Sequence, residues 1–169
     1  MAELLDELSF RPMTGDDWGS VRDIYADGIS TGYATFESEA GSWDRWDHRH
    51  LNYCRIVGEL NGLICSFAAL TKQSARPVYS GVAEVSVYVA KACWGRGFGK
   101  QTLRELVKRS EGSGIWTLQS TIFPENTSSI AVHRACGFRE VGYRDRIGKL
   151  DGRWLDSVLF ERRSEVVGI

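Results

Sequence analysis

A short strand that runs straight into a loop with glycine at every second position constrains this chain more than any other segment. Glu84-Val85-Ser86-Val87-Tyr88-Val89-Ala90 is the strand. Trp94-Gly95-Arg96-Gly97-Phe98-Gly99-Lys100 is the loop, and it opens a helix through Gln101-Thr102-Leu103-Arg104-Glu105-Leu106-Val107-Lys108. Glycines let the main chain come close to a ligand. The bare N–H groups and positive dipole end of a helix start then favour an anion, most simply a phosphate. One acid, Glu84, stands at the head of the strand that feeds this loop.

The 169 residues are enough for one domain with a real core, and 43% hydrophobic with 25% charged residues places it among globular proteins. A single domain over residues 1–169 is expected, since no repeat, low-complexity segment or linker interrupts the chain. A net charge of −1 gives no reason to expect a nucleic-acid partner or an anionic membrane surface. No apolar run approaches the roughly 20 residues that a bilayer crossing needs. The acidic Met1-Ala2-Glu3-Leu4-Leu5-Asp6-Glu7 lacks the basic start and apolar run of a signal peptide, so a cytoplasmic location is expected. Cys54, Cys65, Cys93 and Cys136 are scattered, without a C-x-x-C pair. They read as reduced thiols, and no metal site is expected.

Along the chain, Leu8 to Met13 reads as a first strand, and Thr14-Gly15-Asp16-Asp17 as a capping box opening a helix through Val21, Ile24, Tyr25 and Ile29. Thr31 to Gly41 is an aromatic-bearing loop, after which Ser42 caps a second helix holding Trp43, Trp46, His50 and Leu51. Arg55–Leu60 and Leu63–Leu70 form a hairpin across Asn61-Gly62. A polar loop from Lys72 to Gly81 leads into the Glu84 strand. After the glycine loop and its helix come a strand from Trp116 to Phe123 and a helix from Asn126 to Cys136. A hairpin of Arg139–Leu150 and Arg153–Arg162 follows, turning at Asp151-Gly152. The order β-α-α-β-β-β-α-β-α-β-β predicts an α+β fold in three layers, a mixed and mostly antiparallel sheet flanked by helices.

The glycine loop does not fit the common phosphate fingerprints. G-x-G-x-x-G fails at Lys100, and the Walker A pattern fails at Trp94 and Gln101; a kinase loop lacks its catalytic Asp motif. Trp94-Gly95-Arg96-Gly97-Phe98-Gly99 instead resembles the (Gln/Arg)-x-x-Gly-x-(Gly/Ala) signature of the GNAT N-acetyltransferase superfamily, with Trp94 in the place of Gln or Arg. Asn126, His133 and Gly137-Phe138 match that family's next signature. Ala34-Thr35-Phe36-Glu37, Ala83 to Val89 and Phe123-Pro124-Glu125-Asn126 are similar to the branch that acetylates phosphinothricin and methionine sulfoximine. Arg76-Pro77-Val78-Tyr79-Ser80-Gly81 resembles relatives acting on arsenic-bearing analogues. Those carry two arginines for the acidic groups, where this chain has Ser74 and Arg76.

The resemblance implies acetyl-CoA as cosubstrate, with coenzyme A as product. Its pyrophosphate would rest on Gly95, Arg96, Gly97, Phe98, Gly99 and Lys100, and its pantetheine arm on the backbone of Val87, Tyr88 and Val89 with Asn126 and Ser129. Glu84 and His133 are the catalytic candidates: a carboxylate can take a proton from an incoming ammonium, and an imidazole near pH 7 can receive or return one. Asn126 can equally be a plain N-cap and His133 a helix histidine bonding a neighbour. Phe36, Glu37, Ser74, Arg76 and Tyr79 are the acceptor candidates, an aromatic wall and a guanidinium suited to a small zwitterion. Trp43, Trp46, Trp116 and Trp154 read as packing residues, and Cys93 shows no sign of an activated nucleophile. Direct attack in a ternary complex on acetyl-CoA by a small amino-acid-like amine is the expected reaction. The resemblance also makes a homodimer a common state of the branch. The competing readings are a different amine (protein N-terminus, polyamine or aminoglycoside), a non-catalytic acyl-CoA-binding regulator, and a nucleotide-binding domain.

Overall fold

The computed structural model describes residues 6–169; most of the acidic start from which the lack of a leader was read lies outside them. Seven strands form one sheet in the order β1-β2-β3-β4-β5-β7-β6. They are β1 (Ser9–Pro12), β2 (Ile56–Leu60), β3 (Leu63–Lys72), β4 (Val82–Val89), β5 (Thr117–Ile122), β6 (Arg139–Leu150) and β7 (Arg153–Arg163). Every neighbouring pair is antiparallel except β4 and β5. The helices are α1 (Trp18–Ser30), α2 (Trp43–Arg49), α3 (Phe98–Gly112) and α4 (Thr127–Ala135).

Alternation along β3 splits the core between the two faces. Ala68 and Leu70 pack with Val85 of β4 and with Leu103, Leu106 and Val107 of α3, and Ile130 and Val132 of α4 close that side. Phe67 and Ala69 point the other way, onto Val21 and Ile24 of α1 and Trp46 of α2, with Tyr88 and Tyr25 at the margin. The expected three layers are therefore present. The β4 alternation also holds, with Val85 and Val87 toward α3 and Tyr88 toward α1.

Three boundaries differ from the sequence reading. Thr14-Gly15-Asp16-Asp17 forms a short 3-10 turn before α1 instead of its first turn. The second helix stops at Arg49, leaving His50 extended (φ −102°, ψ 148°). There His50 bridges Thr71, and Leu51 N–H donates to Leu70 O at 2.8 Å, so pairing with the end of β3 outcompetes another helical turn. The third helix begins at Phe98, not Gln101, because Gly97 (φ +78°) reverses the chain one residue earlier.

The entrance to α1 is clamped by charge. The Asp17 carboxylate accepts Thr14 N–H at 2.8 Å and takes both terminal nitrogens of Arg11, each at 2.8 Å, while Arg11 also reaches Glu59 of β2 at 2.7 Å. The Arg11 bonds and the Thr14 amide hold the Asp17 carboxyl down to about 2 against the opposing effect of burial. A carboxyl depressed on folding contributes stability that is present above its unfolded value, 3.8, and disappears as pH falls through about 2. Asp17→Asn is accordingly expected to unfold at lower urea concentration than the parent at neutral pH. The gap should close as the titration is repeated from about pH 4 down to about pH 2; a gap independent of pH would remove the charge from this account.

Candidate active site

The parallel contact between β4 and β5 lasts for only three residues, Val82–Glu84 against Thr117–Gln119. At the closed end Gly81 O accepts N–H bonds from both Trp116 (2.8 Å) and Thr117 (3.0 Å). A Cβ on Gly81 would fall 2.0 Å from the Trp116 ring, so only glycine allows this seam. Beyond Glu84 the strands part, each fully paired to its outer neighbour. Glu84 therefore stands at the apex of a wedge. A cavity of about 750 Å³ lies along it and runs from α1, α2 and the loop of residues 31–42 to the glycine loop and α4.

Main-chain direction decides what the β4 edge can bind. Ala90 N–H donates to Cys65 O at 2.8 Å, and Gln73 N–H to Val82 O at 3.4 Å. Hydrogen-bonded pairs alternate in an antiparallel ladder. With the observed register, Glu84, Ser86 and Tyr88 turn their main-chain groups to β3, while beyond the seam Val87 and Val89 turn theirs to the open wedge. This corrects the expectation for Tyr88: its backbone is engaged with β3 and not available for a pantetheine amide. Its ring lies instead in the half of the cavity beside α1 and α2, stacked on Phe67 (5.3 Å) and tilted against Tyr25 (5.0 Å). Gly28 of α1 leaves room for that ring, since a Cβ there would sit 2.7 Å from it.

Gly95 (φ +77°) and Gly97 (φ +78°) adopt left-handed backbone, whereas Gly99 is already helical. The first i→i−4 bond of α3 runs from Gln101 N–H to Gly97 O at 3.3 Å, so the N–H groups of Phe98, Gly99 and Lys100 precede it. The helix start is fixed from below. Thr102 Oγ1 donates to Phe98 O at 2.7 Å and meets Ser66 Oγ of β3 at 2.7 Å, both side chains fully buried. Trp94 is exposed and folds back along the strand, and its indole N–H donates to Val89 O at 2.8 Å. Arg96 points away from the cavity, pairing with Asp6 and lying over the Phe98 ring at 4.8 Å. That placement gives its side chain no contact with an anion in the loop.

On α4, Asn126 Oδ1 accepts Ser129 N–H at 3.2 Å, the N-cap that the sequence suggested. His133 is 4% exposed, and its Nδ1 lies 2.8 Å from Ser129 O. A carbonyl can only accept, so Nδ1 carries the hydrogen. Burial lowers the imidazole below its ordinary value, so the ring is neutral and Nε2 holds a lone pair. Nε2 is buried with no partner among the described residues.

The half of the cavity beside α1 and α2 carries further charge. Phe36 packs edge-on against Phe123 at 4.6 Å and covers Gly148 of β6, where a Cβ would fall 2.5 Å from the ring. Glu37 accepts from Arg49 and lies 3.5 Å from Arg45, both from α2. His50, Thr71 and Glu84 sit side by side across the sheet and all line the cavity. His50 stacks on Trp46 at 4.0 Å with its Nδ1 2.7 Å from Trp46 O. Burial, seconded by Arg49 and Arg55, pushes it down to about 4.

The cavity thus brings together Glu84, His133, Val87, Tyr88, Val89, Gly95, Gly97, Phe98, Gly99, Lys100, Asn126, Ser129, Phe36 and Glu37. Ser74, Arg76 and Tyr79 do not line it. They occupy the exposed loop before β4, where Ser74 Oγ accepts Arg76 N–H at 3.2 Å and the Arg76 guanidinium lies over the Tyr79 ring at 5.6 Å. Arg45, Arg49 and His50 are the residues that the sequence reading missed. The i,i+4 spacing of Arg45 and Arg49 places them on one face of α2, a signal that the neighbouring tryptophans masked.

Residues 18–138 match the Acetyltransferase (GNAT) family. The chain belongs to that family. Among curated GNAT relatives, a phosphinothricin N-acetyltransferase of Alcaligenes faecalis is 32% identical over 160 residues, 90% of this chain and 80% of the relative. An L-methionine sulfoximine/L-methionine sulfone acetyltransferase of Pseudomonas paraeruginosa is 37% identical over 101 residues, 60% of this chain and 59% of that protein. Among solved structures, a GNAT superfamily phosphinothricin acetyltransferase of Sinorhizobium meliloti in complex with acetyl-CoA aligns with a TM-score of 0.83 at 28% identity, covering 96% of each chain. No helix of the described residues is long and apolar enough to cross a membrane.

The glycines of this GNAT chain are not equivalent. Gly97→Ala is expected to lower stability by about 1 kcal/mol or more, because its φ of +78° strains a residue that carries a Cβ. Gly99→Ala is expected to be neutral or mildly stabilising, since its Cβ would make ordinary 3.7 Å contacts with Val89 and Val132. Paired denaturant titrations check the contrast.

Proposed function

We propose that this chain transfers acetyl from acetyl-CoA to the amine of a small, glutamate-like amino acid by direct attack in a ternary complex. The observation that carries this reading is the parting of β4 and β5 at Glu84. It joins an anion-cradling helix start to a charged acceptor chamber through a gap edged by main-chain groups.

The residues fit the cosubstrate. The N–H groups of Phe98, Gly99 and Lys100 offer the pyrophosphate unpaired donors at the positive end of a fifteen-residue helix. Val87 and Val89 extend an unpaired strand edge to which an amide-bearing arm can add as a further strand. The Val89 carbonyl is already taken by Trp94, so its N–H and both groups of Val87 remain. Asn126 and Ser129 face the same arm from the start of α4.

Chemistry then falls to the apex. Glu84 receives the proton of the incoming ammonium, directly or through water, leaving a neutral nucleophile. The amine nitrogen bonds the thioester carbon while Val87 N–H donates to the oxygen as negative charge gathers on it. The C–S bond then breaks, and the proton shed by the new amide nitrogen passes to the departing thiolate directly or through water. His133 is neutral with its lone pair on Nε2, which suits accepting a hydrogen bond from the coenzyme side. It does not suit donating a proton to the departing thiolate.

Thiol release from acetyl-CoA, measured with phosphinothricin, methionine sulfoximine, ordinary amino acids, polyamines and an alanyl peptide, tests the acceptor class. Turnover confined to polyamine or peptide would sink the acceptor assignment and keep the transfer. Tight CoA binding without release from any amine would favour a non-catalytic regulator. Glu84→Gln is expected to depress kcat about a hundredfold to ten-thousandfold with an unchanged Tm. Near-normal turnover would take Glu84 out of the mechanism. His133→Asn is expected to act chiefly on the KM for acetyl-CoA.

A further inference from the structure

The acceptor expected of this site carries acid groups, yet the arginine that the sequence offered for them, Arg76, is outside the cavity. Two other guanidinium groups are inside it. Arg45 and Arg49 stand one turn apart on α2 and converge on a single carboxylate, Glu37, with Arg49 Nη1 on Oε1 and Arg45 Nη2 on Oε2. A chain segment thus presents a carboxylate to two cations within the chamber where an amino-acid carboxylate would enter. Arg49 is half exposed, and among the described residues only its Nη1 meets an acceptor, which leaves most of its five N–H donors unused. Arg45 is also 3.9 Å from Glu39, so it is the outer of the two. Arg49 ends α2 next to His50, which bridges Thr71, the β3 partner of Glu84, and Arg49 and Glu84 line the same cavity. An amine delivered to Glu84 brings its own α-carboxylate alongside.

We propose that Arg49 is the receptor for the acceptor's α-carboxylate, with Glu37 an internal carboxylate that competes for the same guanidinium and is shared with Arg45. This rests on the amino-acid acceptor proposed above and assigns the residue that selects it. Arg45 keeps Glu37 paired when the donors of Arg49 turn to substrate, so the exchange leaves no carboxylate stranded. The planar fork of arginine matches a carboxylate in two-point contact, which a lysine ammonium cannot reproduce.

The test compares methionine sulfoximine with its carboxamide, in which the α-carboxylate is neutralised, by thiol-release kinetics and by calorimetric binding to the CoA-loaded protein. The wild-type chain should prefer the free acid, and Arg49→Gln should reduce that preference by about tenfold or more. Glu37→Gln should act in the opposite direction, lowering the KM for the free acid by removing the competitor. If the Glu37–Arg49 pair only braces the loop, both variants will weaken acid and carboxamide alike, and the proposal is overturned. A large loss of acid preference in Arg76→Ala with none in Arg49→Gln would overturn it too. If the wild type binds neither compound but acetylates another amine, the acceptor class itself is wrong and Arg49 loses its assignment with it. If the wild type acetylates methionine sulfoximine and Arg49→Gln keeps its preference, only the Arg49 assignment fails.

Discussion

The arrangement of the molecule follows from one seam in the sheet. β4 and β5 run parallel for three residues and then separate, while each stays paired with its outer neighbour. The parting leaves both main-chain groups of Val87 and the N–H of Val89 without a strand to bond among the described residues. Unpaired groups of that kind are costly when buried and productive when a ligand supplies the partner. The contact of Gly81 with Trp116 holds the closed end of the seam.

Strand alternation then separates two chemistries across the sheet. The side chains of Val85 and Val87 join the apolar layer under α3 and α4, where the glycine loop and His133 are found. Tyr88 joins the aromatic layer under α1 and α2, where Glu37, Arg49 and His50 gather. Glu84 sits at the one level where both halves are reachable. The helix start is tied to β3 by the buried Ser66–Thr102 pair, so the cradle and the strand edge are parts of one packed body.

Much of this was legible in the sequence, for reasons that can be located. The strand, glycine loop and helix declared themselves because left-handed turns demand glycine and because β-branched alternation is a period-two signal. The Asn61-Gly62 and Asp151-Gly152 hairpins were equally plain. What stayed hidden depended on long-range pairing. His50 left its helix to bridge Thr71, 21 positions away in the numbering. The main-chain direction of Tyr88 depends on which β4 residues fall in hydrogen-bonded pairs with β3, and side-chain alternation alone does not reveal that. Arg76 looked suited to an acid group by type, yet its loop stands outside the cavity, while Arg49 reached the chamber through a helix read only for its tryptophans.

Trp94 carries a consequence for the energetics of the loop. Its indole clasps the carbonyl of Val89, so the chain from Val89 to Trp94, which leads into the glycine turn, is held by the chain's own bond. Ordering a flexible loop around a ligand consumes part of the binding free energy; a loop already ordered in the free chain spares it. The loss of conformational entropy is thereby moved from the encounter with a ligand to the folding of the protein. The position is answerable to the strand behind it, and any side chain able to reach back with one N–H could serve there whatever the ligand.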